Sequence, residues 1–68
     1  MNLVPVNSTN ILSIGYEDQI LEVRFINGGI YQYLHVPHEV YSEFISAVSK
    51  GQFHHDRIIG HYPFRKLR

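Results

Sequence analysis

Tyr31 and Tyr33 stand two residues apart in the run Ile30-Tyr31-Gln32-Tyr33, and on a β-strand that spacing sends both rings to one face of a sheet. Neighbouring aromatics on an open sheet are what RNA-binding sheets use to stack unpaired bases, a contact worth roughly 1–3 kcal/mol per base. The same pair packed under a helix is ordinary core. Phosphate contacts would have to come from the C-terminal part of the chain. Met1 to Ser49 carries five acids (Glu17, Asp18, Glu22, Glu39, Glu43) against Arg24, a balance of 1 − 5 = −4. Lys50 to Arg68 carries Lys50, Arg57, Arg65, Lys66 and Arg68 against Asp56, a balance of 5 − 1 = +4, although the whole chain is formally neutral. A nucleic-acid interface would therefore use Arg57, Arg65, Lys66 and Arg68. Solvated basic residues at the end of a small domain are the plain alternative.

His54, His55 and His61 fall close together, which invites a metal. Their spacing opposes it: adjacent histidines diverge by about 100° on a helix, and no pair has the i, i+4 separation that places two ligands on one face. Catalysis has less to stand on. The chain has no cysteine, Gly28-Gly29 follows Asn27 as in a hairpin and does not open a helix as a phosphate loop would, and no paired carboxylates share a foreseeable pocket. Neither an enzyme, a cofactor nor a metal is expected.

The elements that must position these groups follow from periodicity. Ser8-Thr9-Asn10 reads as a turn, and Ile11 to Tyr16 as a strand with Leu12, Ile14 and Tyr16 on one face and Gly15 marking a bulge near its end. After the polar Glu17-Asp18-Gln19, Ile20 to Ile26 is the clearest strand, with Leu21, Val23 and Phe25 facing one way and Glu22 and Arg24 the other. Asn27-Gly28-Gly29 signals a hairpin, and Ile30 to Val36 returns as a third strand. Loop length decides the tyrosines' fate. An ideal two-residue turn pairs Phe25 with Ile30 and places Tyr31 and Tyr33 on the face of Glu22 and Arg24, whereas a three-residue loop or bulge switches the parity and sends them under the helix.

Pro37 fits the first position of a helix and Glu39 its first turn. Val40, Tyr41, Phe44, Ile45 and Val48 form its apolar face, and Gly51 ends it, with Lys50 in the last turn. Phe53 to Ile59 reads as a second short helix, with His55, Ile58 or Ile59, and Tyr62 sharing a face. The fold class expected is α+β: a three-stranded antiparallel meander followed by one helix and a second short C-terminal helix, with residues 1–68 as a single domain.

With 68 residues, 44% of them apolar and 18% charged, the composition is that of a small globular domain, which at this size buries only about 60% of its unfolded surface. The start Met1-Asn2-Leu3-Val4-Pro5 lacks a signal peptide's basic and apolar regions, and no run has the length of a membrane span. A cytoplasmic location and no membrane partner are the default expectations.

Ser8-Thr9-Asn10-Ile11, Ile14-Gly15-Tyr16-Glu17, Phe25 with Asn27-Gly28, Tyr31-Gln32-Tyr33, Val36-Pro37 with Val40-Tyr41, and Ser49-Lys50-Gly51-Gln52-Phe53 occur in an order and spacing that resemble the KTSC domain. That family takes its name from the C-terminus of some lysyl-tRNA synthetases, also occurs as free-standing short bacterial and phage proteins, and has a central Tyr-x-Tyr motif. Its function is unassigned, with RNA binding suggested. The resemblance covers nearly the whole chain. It departs after Phe53, where the family's aromatic, Asn and Ile-Arg pair are replaced by His54-His55 and Ile58-Ile59. The expected arginine position holds Ile59, and Arg57 points elsewhere if the segment is helical.

Two readings of function compete. In the first, a nucleic-acid-binding module, single-stranded RNA for preference, stacks bases on Tyr31 and Tyr33 and holds phosphates with Arg57, Arg65, Lys66 and Arg68. In the second, Ile11, Ile20, Ile26, Ile30 and Leu34 need cover that one helix cannot supply, and the chain is a protein-interaction module that pairs with another protein or with itself as a homodimer.

Overall fold

The computed structural model describes residues 1–68. The elements follow in the order β1 (Leu3–Pro5), β2 (Ile11–Glu17), β3 (Ile20–Phe25), β4 (Ile30–Tyr33), α1 (His38–Ser46), α2 (Lys50–Phe53), a π-helical turn (His54–Ile58) and β5 (Phe64–Lys66). The α+β class stands. The sheet has five strands instead of three, antiparallel throughout and in sequence order β1-β2-β3-β4-β5. The two added strands are edges of three residues each, too short for alternation to declare itself.

The β2–β3 hairpin turns through Asp18 and Gln19, whose φ angles of 52° and 64° are the positive values a two-residue turn of this hand demands. The β3–β4 hairpin takes the longer of the two expected forms. Arg24 pairs with Ile30 and the Phe25 N–H donates to the Gly29 carbonyl, so Ile26, Asn27 and Gly28 form a three-residue loop. Gly28, at φ 99°, supplies its left-handed position. Parity follows: Tyr31 lies opposite Val23 and Tyr33 opposite Leu21, on the core face and away from Glu22 and Arg24.

In β2, Ile11 pairs with Phe25 and Ser13 with Arg24, which bulges Leu12 out of the ladder. Leu12 is consequently exposed and Ile11 joins Ile14 and Tyr16 over the core, correcting the expected face of Leu12 and moving the bulge away from Gly15. Gly15 serves close approach instead: a Cβ there would fall 2.8 Å from Leu3 Cδ2 and 2.9 Å from Met1 Sδ.

Pro37 caps α1 from outside its first turn, one position earlier than its expected place. The helix stops at Ser46 because Ala47 turns extended (φ −66°, ψ 140°). Ser49 then restarts it by accepting a hydrogen bond from the Gln52 N–H, an N-cap contact. Gly51 thus lies within α2 and not at the end of α1, and Val48 is fully exposed in the break instead of on the apolar face. The second helical segment lies where periodicity placed it but widens: the Ile59 N–H donates to the His54 carbonyl five residues back. His54 and Ile58 face inward and His55 faces solvent, the reverse of the expected His55 face.

Phe44, Ile58 and Val36 close over Ile11, Ile14, Leu21, Val23 and Tyr33 to form the core. Burying one such large side chain contributes about 1.5–3 kcal/mol. No helix is long and apolar enough to cross a membrane.

Candidate functional site

The helical layer covers the sheet over β2 and β3 but leaves the β4–β5 end of the same face open, and a cavity of about 630 Å³ lies there. Its floor is aromatic. Tyr31 and Tyr33 stand parallel on β4 with ring centroids 6.4 Å apart, and Phe64 on β5 approaches them at 5.7 and 5.9 Å. Phe25 meets Tyr31 edge-on at 5.7 Å. Ile59 and Gly60, where the chain leaves the π-helical turn, and the loop residues Asn27, Gly28 and Gly29 complete the walls. Phe64 and Ile59 are 58% and 49% exposed, an apolar surface left open at a concavity.

His54 closes the inner wall. Its Nε2 is 2.8 Å from the Tyr33 hydroxyl, and its ring stands edge-on to Phe25 and Tyr33. Burial, with a smaller push from neighbouring His55, lowers its pKa to about 4, and burial with the nearby Tyr31 raises Tyr33 to about 12. Both members of the pair are therefore neutral at ordinary pH.

β5 reaches the cavity through alternate residues. Phe64 and Lys66 both line it, as period-two alternation requires, and Arg68, beyond the strand's end, lines it too. The Lys66 ammonium stands 5.9 Å from the centre of the Tyr31 ring, within cation–π range. Arg68 holds its place through its carbonyl, which accepts from the Ile30 N–H. No acidic residue lines the cavity.

The structure brings together four of the six residues that sequence reasoning singled out: Tyr31, Tyr33, Lys66 and Arg68. Tyr31 is half-buried and Tyr33 is only 4% exposed, so the pair is the floor of a cavity and not an open platform. The other two are elsewhere. Arg57 pairs with Glu43 at 2.7 Å and lies 5.1 Å over the Phe53 ring. Arg65 is on the opposite sheet face, donating from Nε to Gln32 Oε1 at 2.8 Å. Phe25, His54 and Phe64 were missed. The Phe64-x-Lys66-x-Arg68 alternation was the available signal for the last.

His54 is buried, whereas His55 and His61 are exposed. His55 Nδ1 lies 3.0 Å from Asp56 Oδ1 and His61 Nε2 lies 3.1 Å from the Asp56 carbonyl. No three metal-ligating side chains converge.

The KTSC domain family model matches residues 7–62, a span that holds Phe25, Tyr31, Tyr33 and His54 and ends before Phe64, Lys66 and Arg68. A crystal structure of a KTSC domain protein from Yersinia pestis is similar with a TM-score of 0.93 and 46% identity, covering 98% of this chain and 97% of that one. An uncharacterised protein of Stutzerimonas stutzeri is 37% identical over 100% of this chain and 97% of its own length. A lysine–tRNA ligase of Nostoc is 41% identical over 72% of this chain, a match that occupies 9% of the ligase.

Proposed function

We propose, from the premise that this chain belongs to the KTSC domain family, that it binds single-stranded nucleic acid, RNA for preference, at the β4–β5 cavity. A base would lie against Tyr31 and Phe64, and its phosphates would meet Lys66 and Arg68.

One observation carries the reading. Of the chain's six basic side chains, four are engaged within the fold: Arg24 by Glu22, Arg57 by Glu43, Arg65 by Gln32 and Lys50 by the Ala47 carbonyl. That leaves Arg68 and Lys66, whose ammonium stands over the Tyr31 ring, and both line an aromatic cavity to which no Asp or Glu contributes. Cations beside aromatic faces are the combination that single-stranded nucleic acid needs, one for backbone charge and the other for bases of any sequence. The lysine–tRNA ligase relative, which handles RNA by its name, is consistent with an RNA ligand for this fold.

The alternative reading, self-association or a protein partner, would draw on Ile11, Ile20, Ile26, Ile30 and Leu34. Ile11 is fully buried and Ile20, Ile30 and Leu34 are half-buried, leaving Ile26 exposed among the five.

The test is a titration of labelled single-stranded RNA and DNA at low and physiological salt, following the rings of Tyr31 and Phe64 by NMR. Saturable shifts in those rings are expected, with affinity falling as salt rises at a logarithmic slope of about −1.4 for two phosphate contacts. Unchanged spectra at low salt would refute the proposal.

A further inference from the structure

We infer that the cavity takes one nucleotide at a time, a single unpaired base with its adjoining phosphates, and that it is not a track along which a strand lies base after base. The inference rests on the nucleic-acid reading and adds the ligand unit to it.

Reachable ring surface is the first reason. An open sheet could stack several successive bases, but the aromatics of this chain outside the cavity are spent on the core, Tyr62 by packing against it and the other four on each other. Tyr16 stacks on Tyr41 at 5.0 Å and Phe44 on Phe53 at 5.2 Å, both within the layer between helices and sheet. Among the rings of the cavity, Tyr33 is buried and tied to His54, and Phe25 is half-buried and held edge-on to Tyr31 and His54. Tyr31 and Phe64 remain, 5.7 Å apart and inclined by 34°, too close to admit a base between them and placed side by side to support one base across both.

Volume is the second reason. About 630 Å³ is the size of site that encloses a small molecule, and it is walled by the β3–β4 loop on one side and by Ile59 and Gly60 on another. A run of stacked bases would have to pass through those walls.

Spacing is the third. Phe64 and Lys66 project from one face of β5 a strand step of about 7 Å apart, giving a ring and then a cation, and Arg68 follows beyond the strand's end as a second cation at the cavity. A nucleotide presents the same order: a planar base, then the phosphate on one side of its sugar, then the next phosphate along the backbone. Lys66 would hold the nearer and Arg68 the farther.

The same chemistry can arrive as a residue of RNA or as a free nucleotide, so the experiment has both arms. Adenosine and uridine, their 5′-monophosphates, and the matching dinucleotide, tetranucleotide and octanucleotide are titrated at low salt into the wild-type chain and into Lys66→Gln and Arg68→Gln. Both substitutions are at exposed side chains, and the fold of each variant is checked by its amide spectrum. For single-nucleotide occupancy the monophosphate displaces the octanucleotide and binds within about tenfold of the dinucleotide, while affinity from dinucleotide to octanucleotide rises no faster than the number of registers. Each glutamine variant weakens the dinucleotide by about tenfold, the order of one lost charge-assisted contact, and leaves the nucleosides unaffected. If every added nucleotide multiplies affinity by about fivefold, as one further stacked base would, or if the monophosphate fails to displace an octanucleotide that binds, the inference is overturned while the nucleic-acid reading stands. If no oligonucleotide binds at all, both fall.

Discussion

The hydroxyl of Tyr33 on β4 and Nε2 of His54 in the π-helical turn meet at 2.8 Å across the inner wall of the cavity, so a single hydrogen bond ties the sheet to the segment that closes over it. The π-helical turn is what aims His54 inward, and such turns recur at functional sites. Since His54 titrates near 4 in the fold against 6.5 unperturbed, the unfolded chain binds the extra proton first. Stability from this group is fully present above about 6.5 and is lost as pH falls toward 4, a change on the order of 3 kcal/mol. Urea denaturation between neutral pH and pH 4 measures it. His54→Gln should flatten that part of the profile, and an unchanged profile would show that His54 is not held neutral.

The six basic residues divide into two sets that binding should tell apart. Lys66→Ala and Arg68→Ala are expected to weaken an RNA oligonucleotide by about tenfold each at low salt and to lower the salt slope by about 0.7 apiece. Arg65→Ala, on the far sheet face, and Arg57→Ala, paired with Glu43, should change affinity by less than about twofold, the level of a distant surface charge. Equal losses at all four would mean a diffuse electrostatic patch.

Much of this arrangement is legible in the sequence, and its gaps have physical causes. The β2–β3–β4 meander and the start of α1 announce themselves because Leu21, Val23 and Phe25 alternate and Pro37 with Glu39 opens a helix. Tyr31 and Tyr33 were placed on one face correctly, but which face depends on whether Asn27-Gly28 closes with two residues or three, and the local sequence suits both. β5 hid in a basic tail because Phe64, Arg65 and Lys66 form a strand only by pairing with β4, a contact remote in sequence. The split of the four candidate cations between cavity and elsewhere has the same origin: Arg65 and Lys66 are neighbours in the chain and face opposite sides of the sheet.

Gly28 fixes the tyrosine face, since the three-residue loop depends on its φ of 99°. Space is not the obstacle to a side chain there, because nothing lies within 4 Å of where its Cβ would be. The cost is conformational alone. Gly28→Ala should destabilise by about 1 kcal/mol and Gly28→Asn by less, since Asn tolerates the left-handed region. Thermal melts of the two variants rank them, and an equal loss in both would point to some other role for this position.

On the far side of the sheet, Glu22 is 6% exposed and accepts from Arg24 Nε and Gln32 Nε2, each at 2.7 Å, while Gln32 Oε1 accepts in turn from Arg65. Burial pushes the Glu22 carboxyl up, but the hydrogen bonds from Gln32 and Arg24, with the Arg24 charge, together hold it below the usual range. Its folded pKa is depressed, so its contribution is present above the unfolded value and is lost as pH falls through the folded one. Glu22→Ala leaves Gln32 without its acceptor and Arg24 without its counter-charge. A loss of about 1–3 kcal/mol is expected, along with weaker acid dependence below pH 4.5, the ordinary value for this carboxyl. Because the network crosses β3, β4 and β5 on the face opposite the cavity, Glu22→Ala should also loosen β5. Amide exchange at Lys66 should then speed up more than at Leu21, and equal acceleration at both would mean that Glu22 steadies the sheet as a whole.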